Sequence, residues 1–365
     1  MNEQTIQTIE KIFKNYSNPE TDIARFSQRF STEINEGERE LDKATLQSIN
    51  LSKIYKITFN NQSNIGEVSK KLAASGQFEN VELNYILTAD FIPSDPYFLD
   101  TYPSQVNNRD PDWLPTHDYQ WNLKMINMPQ AWDITKGSKK VITAVLDGGI
   151  DYNHRDLKDH MWQNRDEIPN NAIDDDANGF IDDALGWNFI DNTNSVLDDG
   201  ELGHGTFVAG QIVGNTNDSN KAAFMNWNAK LMPVKVLDLV GRGKVSQVMA
   251  GVYYATNNGA DVINMSLGGW IPPGDVTSSF QKSISYAFAH GVVVVASAGN
   301  NGLPLEASWQ DSYSYNYSNY IEVPAYFPNV LKVGSVSPNG DISRFSNFAG
   351  QGYFVTAPGG GNSCF

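Results

Sequence analysis

Cysteine is almost missing from this chain. Cys364 is the single thiol in 365 residues, so no internal disulfide can form. That absence does not exclude secretion, because secreted proteins can dispense with bridges. Positive charge is scarce too: 26 Lys and Arg stand against 42 Asp and Glu, a net charge of −16. Such a balance argues against nucleic-acid binding, which relies on cationic contacts to phosphate. It favours solubility or divalent-cation sites. No apolar run is long enough to span a membrane. The first twenty residues lack a signal-peptide core. Ile6, Ile9, Ile12 and Phe13 are spaced as one helix face among polar residues. Either an export signal lies outside this sequence or the protein stays in the cytoplasm.

What is present divides into a small unit and one large α/β domain. Residues 1–48 form a polar leader with weak helical spacing at Phe26, Phe30 and Ile34, and no function is assigned to them. Residues 49–90 read as a compact α+β unit. Tyr55, Ile57 and Phe59 alternate with polar residues as a strand. Ile65, Val68 and Leu72 follow at helical spacing, with Gly76 suited to ending the helix. Val81, Leu83, Tyr85 and Leu87 alternate again. Residues 91–120, with Pro93, Pro96 and Pro103, form an extended linker. From Trp121 onward, apolar runs at 141–146, 231–237, 261–267 and 291–298 alternate with helical stretches. That pattern predicts a parallel sheet covered by helices on both faces. Ligands then sit beyond the carboxyl ends of the strands, where Asp147, Ser266 and Asn300 fall.

Two segments carry chemistry. Asp147 ends the run Val141-Ile142-Thr143-Ala144-Val145-Leu146, and His204 opens the segment Gly203-His204-Gly205-Thr206-Phe207-Val208-Ala209-Gly210. Taken singly, the first is an ordinary turn residue and the second a tight turn into a helix. In this order they suit nucleophilic catalysis. A serine hydroxyl needs a neutral imidazole to take its proton, and a buried carboxylate fixes the imidazole tautomer. A third segment, Ala296-Ser297-Ala298-Gly299-Asn300-Asn301-Gly302, ends another apolar strand.

Together these segments resemble the Asp, His and oxyanion-hole segments of the subtilisin-like serine proteases, the subtilases. The resemblance runs from about Trp121 to Gly359 and includes Val323-Pro324-Ala325 and Ala357-Pro358-Gly359 in the family's order. It implies a subtilisin-like fold and peptide-bond hydrolysis. Asp147 and His204 become members of an Asp-His-Ser triad, and Asn300 becomes the oxyanion donor. Ser266, Leu267 and Gly268 become a substrate-pairing edge and one wall of the P1 pocket, with Ala296, Ser297, Ala298 and Gly299 the opposite wall. The substrate is then a polypeptide. The unit at 49–90 is similar to a subtilase propeptide, a partner of the cleft it precedes. Family resemblance also implies secretion or a place in the cell envelope.

An acidic insertion separates Asp147 from His204. Asp174, Asp176, Asn178, the Phe180 carbonyl and Asp182 fall at alternate positions, with Gly179 at the sharp turn, in the spacing of an EF-hand-type calcium loop. Leu185 stands where the bidentate Glu is expected, so Asp183 is the candidate for that role. A second, weaker calcium site at Asp156 matches the family only in part, since Arg155 precedes it. His117, His154, His160 and His290 have no metal-ligand spacing.

The family's Gly-Thr-Ser segment does not occur in these residues, and Ser363 and Cys364 lack its context. The expectation is an inactive polypeptide, poorly folded without the helix that the serine begins. It reads as an incomplete subtilase. The alternatives are a peptide-binding pseudoprotease and one half of a split protease.

Overall fold

The computed structural model describes residues 6–11, 54–59, 65–84, 86–89, 121–200, 203–216, 224–272, 274, 277–310, 316–348 and 352–360. The expectations for Phe26, Phe30, Ile34, His117, the linker at 91–120 and Ser363 and Cys364 lie outside them.

The core is a seven-stranded parallel sheet. Its strands are β4 (Ile142–Asp147), β5 (Trp187–Asn188), β6 (Lys230–Lys235), β8 (Val262–Met265), β10 (Val293–Ser297), β13 (Val330–Val336) and β14 (Phe354–Pro358). They lie in the order β14-β13-β10-β8-β4-β6-β5. Alternation along each central strand feeds two cores. Ala144 and Leu146 of β4, with Met232 and Val234 of β6, bury against helices α5 (Val245–Asn257) and α6 (Thr277–Ala289). Val145 and Leu231 face the other way, onto Val208 and Ala209 of α4 (His204–Ile212). Both faces of these strands are apolar because both carry helices, as the unbroken runs imply. The sheet is thinner-clad at one side, where Val293 and Val355 are about half exposed.

The run predicted at 261–267 is two strands. Ser266 is the hinge: β8 stays in the parallel sheet, whereas β9 (Leu267–Ile271) enters an antiparallel sheet of order β11-β12-β9-β3-β7. The others in that sheet are β3 (Ile86–Ala89), β7 (Arg242–Lys244), β11 (Glu306–Gln310) and β12 (Asn316–Val323). Upstream, β1 (Ile6–Lys11) pairs antiparallel with β2 (Tyr55–Phe59), so Ile6 and Ile9 belong to a strand rather than a helix face. Helix α1 (Ile65–Ala74) forms where the spacing put it, and Gly76 follows it at φ 67°. Residues 81–84 are irregular and the next strand begins at Ile86, because ladder partners exist only where β7 and β9 offer their edges. Helices α2 (Trp121–Met125) and α3 (Met128–Ile134) lead into β4.

His290 follows α6 and supplies a pH test of this core. Its Nδ1–H donates to Tyr286 O at 2.8 Å, and its ring packs on Tyr286 at 4.1 Å. Burial pushes its pKa below the ordinary 6.5, with the Tyr286 bond opposing. The unfolded chain therefore takes up the proton first. The stability this residue confers is complete above 6.5 and falls as pH drops toward the folded value. In thermal melts of the protein expressed from its own gene, His290→Gln should lose less Tm than the wild type between about pH 7.5 and about pH 5. Parallel Tm curves for the two proteins would refute this.

Candidate active site

Asp147 closes β4 at the carboxyl end of the parallel sheet and is 0% exposed. Its backbone oxygen accepts from Val236 N at 2.8 Å and Leu237 N at 3.1 Å, which ties the strand end to β6. Its Oδ1 accepts from Gly148 N at 2.7 Å. His204 is the first residue of α4 and is 8% exposed. Its Nδ1 lies 2.8 Å from Asp147 Oδ1 and 2.9 Å from Oδ2. An ionised carboxylate only accepts, so Nδ1 carries the hydrogen. Nε2 is then left with its lone pair, the state a general base requires.

Close approach dictates the glycine beside this pair. A Cβ on Gly205 would come within 2.0 Å of Gly149 O and 3.2 Å of Asp147 Cβ, so no side chain fits. Asp198 secures the start of α4. Its Oδ2 accepts from Thr206 N at 2.9 Å and from Thr206 Oγ1 at 2.7 Å. Thr206 Oγ1 in turn accepts from Asp151 N at 2.8 Å. Burial raises the pKa of Asp198 and the Asp147 charge adds to the rise, while the Thr206 bonds and Lys235 oppose it. Lys235, buried at the end of β6 and paired in register with Asp147, donates to Gly148 O and, at 2.8 Å, to Asp199 Oδ1. That bond holds Asp199 below the usual carboxylate range. Sequence reasoning missed Asp198, Asp199 and Lys235, because nothing local to them marks a contact made through folding.

The remaining predicted residues line the same end of the sheet. Ser266 Oγ accepts from Asn264 Nδ2 at 3.1 Å, and Leu267 and Gly268 open β9. Ala296 and Ser297 end β10, which is separated from β4 by β8 alone. Ala298 N donates to Val333 O at 2.8 Å. Gly299 turns the chain at φ 95°, and Asn300 is exposed on the turn. Asn347 braces that turn: its Oδ1 accepts from Asn301 N at 2.9 Å and Leu303 N at 3.0 Å. The β9 edge is covered by the upstream strand β3, through Thr88↔Gly268 and Ala89↔Leu267, with β7 on the far side of β3. Two side chains dock that segment. Asn84 accepts from Ser246 N at 2.9 Å and donates to Ser246 Oγ at 2.6 Å, at the start of α5. Glu82 Oε1 accepts from Ser278 Oγ and Ser279 N at the start of α6. Both supply acceptors to helix N-termini, whose first N–H groups lack partners within the helix.

A profile of the subtilase family matches residues 138–364. The chain belongs to the subtilase family. It is 33% identical to thermitase of Thermoactinomyces vulgaris over 74% of this chain and 74% of thermitase. It is 31% identical to a thermophilic serine proteinase of Bacillus sp. strain AK1 over 81% of this chain and 58% of that protein. This subtilase therefore spans a little over half the length of the AK1 proteinase. A solved lanthipeptide protease shares 30% identity at a TM-score of 0.49, covering 66% of this chain and 62% of that one.

In the acidic insertion of this subtilase, two of the carboxylates named from the sequence converge with a third that was not. Asp176 and Asp183 do converge, with Glu167 as their third partner, and oxygens of the three lie within 4.8 Å of one another. Asp174 accepts from Asn178 N at 2.9 Å and Gly179 N at 2.8 Å. Asp182 accepts from Asn171 N and Ala172 N, each at 2.9 Å. Asn178 Nδ2 bridges Asp176 and Asp183 at 3.1 Å each. Phe180 packs its ring on Trp187, Phe189 and Tyr254, anchoring the loop. Tyr254 OH donates to Asp183 Oδ2 at 2.6 Å. Burial pushes Asp183 up to about 6 and raises Glu167 as well. Glu167 Oε2 is buried without a hydrogen bond among the described residues. An all-oxygen set holding an unsatisfied carboxylate oxygen fits a hard cation. Glu167 escaped the sequence reading because it precedes the loop by seven residues and matches no ligand position. At the weaker predicted site, Asp156 Oδ1 lies 3.5 Å from Arg155 Nε, and the loop at 217–223 is outside the described residues.

Proposed function

We propose that this subtilase is a serine endopeptidase of the subtilisin type. His204 is the general base, Asp147 orients it and stabilises the imidazolium, and Asn300 donates to the developing oxyanion. The observation that carries this reading is the Nδ1 contact, which leaves Nε2 basic in a buried site. No residue among 1–365 is assigned as nucleophile. Polypeptide substrate adds as a strand along β9, where β3 lies. The unit around α1 and β3 acts as a propeptide that blocks this edge, a reading supported by Glu82 and Asn84 at the two helix starts. Glu167, Asp176 and Asp183 would hold Ca²⁺, which supplies charge compensation to the insertion. By its resemblance to the family we place it in the secreted or cell-envelope fraction. Among the described residues no helix is long and apolar enough to cross a membrane.

The test is fluorophosphonate labelling, with hydrolysis of internally quenched peptides, by the protein expressed from its own gene. Expected are a labelled serine and peptide cleavage. Absence of both label and cleavage in the gene product, with peptide binding retained, would replace this reading by the non-catalytic one.

A further inference from the structure

Asn347 is 0% exposed and packs against the turn that carries Asn300. Its hydrogen bonds fall on both sides of that residue. Asn347 N donates to Gly299 O at 2.9 Å, the carbonyl of the peptide group that enters Asn300. Asn347 Oδ1 accepts from Asn301 N at 2.9 Å, the N–H of the peptide group that leaves it. The same oxygen accepts from Leu303 N at 3.0 Å. One buried residue therefore holds the two peptide planes that flank the Asn300 Cα. With both planes held, φ and ψ of Asn300 are set, and so is the direction of its Cα–Cβ bond. The approach is close: a Cβ on Gly299 would come within 2.5 Å of Asn347 Nδ2. Asn347 is itself secured by its neighbours in the chain. Gly302 N donates to Phe345 O at 2.7 Å, Phe348 N to Leu303 O at 3.1 Å, and Leu305 N to Phe348 O at 3.1 Å.

We propose that Asn347 is a positioning residue for peptide hydrolysis, which aims the Asn300 side chain at the developing oxyanion. This rests on the peptidase reading above and adds a residue to its machinery. Asn300 is exposed on the turn, and an exposed turn residue has several backbone states open to it. A donor to an oxyanion is effective when it is already in place as the charge develops, because no reorganisation then accompanies the reaction. Bonds from one buried residue to both flanking peptide groups select a single backbone state in advance. The contacts of Asn347 are made with the turn, so its effect on rate passes through Asn300.

The experiment is a double-mutant cycle on the protein expressed from its own gene, read as kcat and KM for quenched peptides. Asn347→Ala should lower kcat by about 10- to 100-fold, since a reacting group misplaced by about 1 Å can cost that much. KM should stay within about twofold, because the lost interaction is made in the transition state. In an Asn300→Ala background the same substitution should change kcat by less than about twofold, because the donor it positions is gone. A merely structural role predicts the same loss in both backgrounds. Where circular dichroism shows Asn347→Ala unfolded, Asn347→Ser takes its place in the cycle, since its hydroxyl is one bond too short to hold both N–H groups. An unchanged kcat, or equal losses in the two backgrounds, overturns the assignment. If the wild type cleaves no peptide, the endopeptidase reading fails separately, and hydrogen exchange decides the brace. The Asn301 and Leu303 amides should exchange about tenfold faster or more in the variant, and equal rates overturn the assignment as well.

Discussion

Asp147→Asn should lower the kcat for peptide hydrolysis by about 10⁴-fold while leaving the fold intact. The size follows from the hydrogen-bond geometry. Asp147 Oδ1 already accepts from Gly148 N at 2.7 Å, so an asparagine would keep its own oxygen there. Its amide nitrogen would then replace Oδ2, 2.9 Å from His204 Nδ1, and set a donor against the ring N–H beside the oxygen at 2.8 Å. That competing donor favours the tautomer with its hydrogen on Nε2, the atom that receives the serine proton in the proposed mechanism. Charge loss adds to this, because the imidazolium formed during reaction no longer has an anion beside its largely buried ring. The checks are kcat from quenched-peptide hydrolysis and circular dichroism of the variant. A loss smaller than about tenfold, in a folded variant, would remove Asp147 from the role given to it.

The pair at the centre of this prediction was legible in the sequence because each member sits in its own short segment, at the end of a strand or the start of a helix. The same holds for the central strands, whose apolar runs need no tertiary information. The residues that steady the pair were not legible. Asp198 reaches Thr206 across a loop, and Lys235 meets Gly148 O only because β6 lies beside β4 in register. Apolar runs also hide changes of sheet. Residues 261–267 look continuous, yet the chain passes at Ser266 from a parallel ladder to an antiparallel one. Nor does periodicity reveal partners: Ile6 and Ile9 fit a helix face until Ile57 and Phe59 are found opposite them. The acidic loop illustrates the limit of spacing rules. Alternation named Asp174, Asp176 and Asp182, with Asp183 in place of the bidentate Glu, but only folding brings Asp176 and Asp183 together with Glu167.

Removing calcium should lower the Tm of the protein expressed from its own gene by about 5–15 °C. An ion present at 100–1,000 times its Kd adds about 2.7–4.1 kcal/mol to stability, and each kcal/mol moves Tm by about 2–4 °C in a domain of this size. Chelation alone does not say where the ion sat, and the Glu167→Gln variant does. Glu167 Oε1 accepts from Asp175 N at 2.8 Å and Asp176 N at 3.2 Å, and a glutamine oxygen keeps both bonds. What the substitution removes is the charge, which burial and the neighbouring Asp175 and Asp176 make costly. In chelator the variant should therefore melt at or above the wild type. In calcium it should melt below the wild type, because one of the three converging carboxylates no longer offers an anionic ligand. A purely structural role for Glu167 predicts the same sign in both buffers. Crossing of the two orders is thus the signature of a cation held by Glu167, Asp176 and Asp183. Equal melting of the wild type with and without calcium, or a calcium increment retained in full by Glu167→Gln, would refute it.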